Sequence, residues 1–354
     1  MPAYLNDIST AVPAYDVHEA FIKYAENTLS ARHFPIFHRM IERNQIEHRY
    51  SSLEPAEAGG NEGPARNGFF RPGGFPSTGP RMKVYEREAP LLAIEAVGKL
   101  LKDRSPSEIT HLIVVTCTGF AAPGVDQRLI QHFGLSPSVE RVSVGFMGCA
   151  AALNALKVAR HIVRAESKAS VLVVAVELCT LHLQDNSDLE QLLCFSIFAD
   201  GCAAALVSDE PKGFELDAFF SQILPEAADL IRWGIGDQGF DMLLSGRVPG
   251  AISNGLRENR PRISSAINLQ VDTWAVHPGG RSVLDAVEQS LSLTETALDH
   301  SRTVLRQFGN MSSPTILFVL ERLLLAPPSA CDKGCALAFG PGLTIEAMNF
   351  TRVN

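Results

Sequence analysis

A cysteine can serve as a nucleophile when its surroundings favour loss of the thiol proton. Cys149 is the cysteine whose neighbours suit that task. It follows a β-type run, Val142-Ser143-Val144, and the turn Gly145-Phe146-Met147-Gly148. A small-residue helix, Ala150-Ala151-Ala152-Leu153, begins directly after it. The two glycines allow a sharp bend and a close approach of the backbone. Unpaired N–H groups and the helix dipole at that end favour a thiolate. A cysteine that merely fills a tight turn would carry the same signature.

A nucleophilic thiol needs a partner that moves protons and a donor for developing negative charge. Among ten histidines, His277 ends an apolar strand, Trp274-Ala275-Val276, and enters a Pro-Gly-Gly turn. Strand ends are where α/β folds gather reactive groups. His18, His33, His38, His48 and His300 sit in polar context and read as surface residues. His111, His132 and His161 carry no second signal. His182 follows a long apolar strand and is placed to line a cavity. Asn310, in Gly309-Asn310, reads either as a left-handed turn residue or as an amide donor to an oxyanion.

The elements that position these residues alternate. Strands are predicted over 111–117, 139–146, 171–179 and 203–208. Helices are predicted over 89–102, 125–133 and 150–165. The second half adds strands at 216–220, 242–244, 273–276, 336–339 and 343–350, and helices at 249–259, 282–291, 295–308 and 315–325. Ser313 and Pro314 form a start signal for the last helix. The first 50 residues read as helical, and 51–80 as a long loop rich in Gly, Pro, Ser and Glu. Arg39 and Arg43 stand four apart, on one helix face, as a solvated pair or as cations for a phosphate-bearing ligand. The pattern is that of an α/β fold. Two halves, 1–209 and 210–354, each carry a polar or reactive residue in a Gly-containing turn before a buried apolar helix, which suits a duplicated unit.

The formal net charge of −8 argues against a nucleic-acid or anionic-membrane binder. The most apolar run, 315–326, is too short to span a membrane and contains Glu321 and Arg322. The N-terminus lacks a signal-peptide pattern. Seven cysteines without a C-x-x-C pair suggest free thiols in a reducing, cytoplasmic setting, and no metal site is expected, Cys331 and Cys335 included. Gly234-Ile235-Gly236-Asp237-Gln238-Gly239 fits a dinucleotide fingerprint, but the following residues read as strand, not helix. P-loop and serine-hydrolase motifs do not occur.

The Cys149 stretch resembles the type III polyketide synthases, of which chalcone synthase is the best-known plant example. So do Phe198-Ala199-Asp200-Gly201, the stretch from Trp274 to Gly280, Gly309-Asn310-Met311-Ser312-Ser313, and Ala338-Phe339-Gly340-Pro341-Gly342. The resemblance runs from about Arg39 to the C-terminus. It implies a thiolase fold, a duplicated five-layered α/β/α/β/α arrangement, working as a homodimer. It implies acyl-CoA and malonyl-CoA as substrates, with no cofactor beyond these thioesters. Cys149 would carry the acyl chain and pair with His277 as a thiolate–imidazolium couple. His277 and Asn310 would stabilise the enolate left by decarboxylation, and Phe198 would cover the malonyl group. Arg39 and Arg43 would hold CoA phosphates, although a third basic position of plant members falls on Ile36.

The departures from plant members bear on substrate. Cys117, Ala122, Cys179 and His182 fall at cavity positions, and Met242 replaces a gatekeeping Phe. Ser312 and the Gly340-Pro341-Gly342 motif complete the substrate-binding set, with Ala122 where a partner subunit's cavity is reached. Small and flexible side chains suit an aliphatic starter. The expectation is a synthase that extends a medium or long fatty acyl group to alkylpyrones or alkylresorcinols. Alternatives are a malonyl-primed tetrahydroxynaphthalene synthase, a ketoacyl-ACP synthase III-like enzyme, and an idle acyl-binding scaffold.

Overall fold

The computed structural model describes residues 1–56, 63–327 and 333–353. Cys331 and part of the predicted 51–80 loop lie outside them. Nine strands form one mixed sheet, in the spatial order Thr273–Val276, Lys333–Gly340, Thr344–Val353, Gly213–Ile223, Tyr4–Ala11, Asp200–Ser208, Val171–Leu178, His111–Thr116, Glu140–Gly145. Parallel pairing holds at the two ends of this order and antiparallel pairing in between.

Side-chain alternation along the strands sorts the core into layers. Ile113, Val115, Val171, Val173, Ala203 and Ala205 face inward, onto the helices Ala151–Ala165 and Thr315–Leu325. Ala275, Ala336, Ala338 and Met348 reach the same two helices from the other half. The intervening residues face outward. Leu112, Val114, Leu172 and Val174 pack under Thr78–Leu100 and Val125–Phe133. Trp274, Val276, Leu337 and Ile345 pack under Val248–Glu258 and Arg281–Leu291. The result is α/β/α/β/α, the five layers of a thiolase fold. Strands so enclosed are buried on both faces, which explains their continuous apolar runs.

The N-terminus departs from the helical expectation. Tyr4–Ala11 is a central strand, paired on both sides and bulged between Leu5 and Asp7. Its polar residues mask the strand pattern. Asn6 is buried, with its amide donating to the carbonyls of Glu210 and Lys212. Helices do follow, at His18–Thr28 and Phe34–Asn44. The helix predicted from Ala89 starts at Thr78 and carries Pro90 in its interior, so that part of the expected loop is helical. The helix expected from Glu295 starts at Asp299, and a short one at Arg260–Ala266 is added. The supposed dinucleotide fingerprint is a hairpin of Ile231–Gly236 and Gly239–Leu244, as its strand-like continuation indicated.

Candidate active site

The turn that presents Cys149 is made by backbone conformations few residues adopt. Phe146 and Gly148 have φ of 55° and 59°. Cys149 then lies in the 3-10 turn Gly148–Ala150, at the start of Ala151–Ala165. The terminal Gly-Pro-Gly motif packs onto this turn. A Cβ on Gly340 would come within 2.9 Å of the Met147 carbonyl oxygen and 2.7 Å of Thr344 Oγ1. Gly342, with φ of 71°, turns the chain into the last strand.

His277 leaves Thr273–Val276 with its N–H donating to the Leu337 carbonyl at 2.7 Å. Its ring is buried, and neither ring nitrogen has a hydrogen-bond partner. Asn310 is held against the Phe198 segment by a pair of backbone bonds. The Asn310 N–H donates to Ile197 O at 2.8 Å, and the Ala199 N–H donates to Asn310 O at 2.9 Å. Gly201 admits Met311 at a distance no Cβ would allow. Two motifs far apart in sequence thus form one wall. The Ser312 N–H donates to Asn310 Oδ1 at 2.8 Å, which orients the amide. Asn310 Nδ2 then faces the Gly279 carbonyl at 3.4 Å and Cys149 Sγ at 4.0 Å. Asn310 is not the left-handed residue of its turn; Gly309 and Ser312 are. Ser312 Oγ lies 3.7 Å from Cys149 Sγ.

Cys149, His277 and Asn310 line one cavity with about 760 Å³ of empty space, its open mouth included. Cys117, Cys179, Phe198, Met242, Ser312 and Pro341 line it too. Several lining residues have no signal of their own in the sequence: Trp233, Leu244, Val248, Ile252 and Val283. Trp233 and Leu244 come from the hairpin that mimics a dinucleotide site. The Trp233 indole N–H donates to the Cys117 carbonyl at 2.6 Å.

Other expected positions lie elsewhere. His182 does not face the cavity. It is fully buried behind the wall, its Nε2–H donating to Thr118 O at 2.7 Å and its Nδ1 accepting from the Phe240 N–H at 3.0 Å. Its ring stacks on Phe240. Ala122, joined to Pro123 by a cis peptide, borders a separate cleft with Tyr85 and Pro90. Arg39 and Arg43 are exposed on Phe34–Asn44. That helix packs on Leu189–Phe195 and Arg281–Leu291, which supply Phe195 and Val283 to the cavity. His18, expected at the surface, is buried and accepts from Arg49 Nε at 3.0 Å.

Burial dominates the electrostatics. It pushes the Cys149 thiol up to about 11, opposed by hydrogen bonds from Ser312 and Asn310. It pushes the His277 imidazole down to about 3. In this geometry burial favours the neutral form of each group. Removing charge from water in an apolar cavity costs more than these partners return. Glu177, concealed in Val171–Leu178, is the buried carboxyl beneath the site. It accepts from the Cys117 N–H, Thr118 Oγ1 and Ser313 Oγ at 2.8, 2.8 and 2.6 Å, and burial raises it to about 7. Ser313 therefore bonds this carboxyl and does not cap the helix after it. A thiol, an unbonded imidazole and an oriented amide facing one apolar cavity can accept an acyl group and stabilise an oxyanion or enolate.

Comparison with known proteins gives the same direction. Residues 4–211 match "Chalcone and stilbene synthases, N-terminal domain", and residues 215–354 match the C-terminal domain of that family. The "Alpha-pyrone synthesis polyketide synthase-like Pks18" of Mycobacterium tuberculosis is 34% identical, over 98% of this chain and 91% of that protein. The type III polyketide synthase domain of Steely1 from Dictyostelium superposes with a TM-score of 0.90 at 26% identity, covering 100% of both chains. PKS-I of the brown alga Ectocarpus siliculosus gives 0.87 at 26% identity, covering 99% and 98%. Fold and relatives define a polyketide-forming acyltransferase on the thiolase fold. The chain belongs to the chalcone and stilbene synthase family, the type III polyketide synthases.

Proposed function

We propose that this synthase primes with a medium or long fatty acyl-CoA and extends it with malonyl-CoA to alkylpyrones. The observation that carries this is the cavity wall beyond Cys149. Ile231, Leu244, Val248, Ile252, Val283 and Phe339 offer an aliphatic chain contact and a polyphenol starter almost no polar partners. The pyrone product, rather than a resorcinol, is favoured by the alpha-pyrone synthesis in the name of the mycobacterial relative.

In this reading Cys149 Sγ attacks the thioester carbonyl of the starter, its proton passes to the His277 ring, and CoA leaves. The malonyl carboxylate beside Phe198 departs as carbon dioxide, because its charge is poorly solvated there. His277 and the Asn310 amide hold the enolate oxygen. The enolate carbon attacks the acyl carbonyl on Cys149, expelling the thiolate, and the extended chain reloads. Arg39 and Arg43, beside the two helices that supply Phe195 and Val283, take the CoA phosphates. The molecule works as a homodimer in the cytoplasm. The exposed side chains of Phe120, Val142 and Met147, beside the sheet-edge strand Glu140–Gly145, are the face a second copy covers.

Incubation with acyl-CoAs of graded length and labelled malonyl-CoA, followed by product mass, tests the reading. Fatty starters should give triketide or tetraketide pyrones. Products built from malonyl units alone, whatever starter is offered, would replace it with a malonyl-primed enzyme.

A further inference from the structure

We propose that His111, Glu140 and Glu166 form a site for a divalent transition cation of the zinc class, at the end of the sheet opposite Cys149. His111 opens the strand His111–Thr116, and Glu140 is its register partner on the parallel neighbour. Glu166 follows the last turn of Ala151–Ala165. Three separate elements thus bring one imidazole and two carboxylates to a point, with their ligand atoms all within 4.8 Å of one another.

The hydrogen bonds around His111 leave Nε2 without a hydrogen-bond partner. Thr110 Oγ1 donates its single proton to Ser170 O at 3.1 Å and accepts from the Ser170 N–H at 2.9 Å. It lies 2.8 Å from His111 Nδ1, and in the tautomer this site requires it accepts there as well, so that Nδ1 carries the proton. Nε2 is then a lone pair. The His111 side chain is only 6% exposed, and Nε2 points between Glu140 Oε2 at 3.7 Å and Glu166 Oε2 at 3.6 Å. Both distances exceed a hydrogen bond. Among the described residues no lysine or arginine pairs with either glutamate. An imidazole nitrogen facing two carboxylates, with no lysine or arginine beside them, leaves room for a cation between the three.

A metal ion supplies it with ordinary chemistry. An imidazole whose other nitrogen donates to an oxygen is the usual form of a histidine ligand. One imidazole with two carboxylates suits zinc, whereas magnesium and calcium favour all-oxygen sets. Zinc needs its ligands about 2.0–2.2 Å from the ion, closer together than they stand. The glutamate side chains are 71% and 55% exposed, so they can swing inward without repacking the core. Three protein ligands leave a position for water. The ion would tie the sheet edge to the end of a central helix, remote from the cavity, and its effect should be on stability rather than turnover.

Calorimetric titration of the full chain with zinc chloride tests this, with cobalt chloride as a spectroscopic probe. One equivalent of zinc should bind per chain and raise the melting temperature. Magnesium at the same concentration should do neither. Glu140→Gln and Glu166→Gln should each weaken zinc binding by about tenfold or more, since changes even outside the ligand shell cost 10–100-fold. Both variants should melt like the parent without zinc and keep its turnover. Bound cobalt should show d–d bands and no thiolate charge transfer. Failure to bind, unchanged affinity in both variants, or a thiolate band that places the ion on a cysteine would each overturn the assignment.

Discussion

Gly148 and Pro341 stand so close that a Cβ on the glycine would lie 2.3 Å from the proline Cδ. The residue before Cys149 and the centre of the C-terminal Gly-Pro-Gly motif are therefore one packed unit, although most of the chain separates them. Gly148 also has φ of 59°, where an L side chain is strained. Gly148→Ala should cost about 1–3 kcal/mol from the backbone alone, and the collision must displace one segment further. Denaturant melts should show the loss, and condensation should fall more than stability predicts because Cys149 is the next residue. Gly134→Ala, also at positive φ but with open space around it, is the control for strain without collision.

The burial of Cys149 makes a prediction for thiol reactivity. Cys149 is partly exposed, while the other described free cysteines are buried, so iodoacetamide should select it. With the thiol pushed up to about 11, the thiolate fraction should rise about tenfold per pH unit between neutrality and pH 10. The alkylation rate should climb with it. A rate that is flat from pH 6 to 9 would mean that His277 already holds the proton.

Glu177 ties stability to pH. Its folded value of about 7 lies above its ordinary 4.5, so the folded state binds the proton more tightly than the unfolded state. The sign follows directly. The contribution is full below pH 4.5 and is lost as pH rises through 7, an effect of about 3 kcal/mol at most. Glu177→Gln should remove that slope from a series of melts between pH 5 and 8. At pH 5 the folded carboxyl is protonated, and the amide reproduces it, its oxygen accepting from the Cys117 N–H and Thr118 and its NH2 donating to Ser313 Oγ, so the variant should match the parent at pH 5 and be the more stable of the two at pH 8. An unchanged slope would relieve Glu177 of this role.

Much of this site was legible because turns advertise themselves. Cys149, His277 and Asn310 each stand in a glycine-containing turn beside an apolar element, and the apolar runs announce the enclosed strands. What stayed hidden is defined by partners rather than by pattern. Glu177 sits in a strand of apolar residues, and its neutral tendency comes from burial that only the fold creates. Ser313 looks like a helix cap, yet its hydroxyl goes to that carboxyl. His182 carries a cavity position by sequence, but Thr118 and Phe240 satisfy both its nitrogens behind the wall. Tyr4–Ala11 reads poorly as a strand because Asn6 and Asp7 interrupt it, and pairing on both edges overrides that weak local signal.

Arg49 is another residue whose role lies in its partners. It looks like one more cation after a basic helix, yet it is 2% exposed. Nη1 donates to Phe195 O at 2.9 Å and to Phe198 O at 2.8 Å, and its stem fills the space against Gly309. Burial lowers it to about 10, so it stays charged at neutral pH. It braces the wall that Phe198 and Asn310 share. Lysine cannot reproduce the fork that also reaches His18. Arg49→Lys should cost about 1–3 kcal/mol, as buried carbonyls lose a donor. It should slow malonyl-CoA decarboxylation more than acyl loading of Cys149. Equal slowing of both steps would mean general damage rather than a displaced wall.

Cavity shape should set starter length. Cys179 is buried and lines the cavity, so a larger side chain there grows into empty space instead of into the packed core. Cys179→Leu should therefore fold normally while shortening the room beyond Cys149. For a fatty acyl starter the loss must depend on length. kcat/KM should fall about tenfold or more for the longest accepted chain, because an overpacked site costs about 1–3 kcal/mol, and change little for a short one. Met242→Phe should act in the same direction more weakly, since an adaptable thioether gives way to a rigid ring. A malonyl-primed enzyme behaves differently: its starter is short, and narrowing the cavity would instead stop the growing chain early, leaving smaller products at unchanged priming rate. Product mass and starter competition on the same two variants thus separate the two chemistries without reference to any relative.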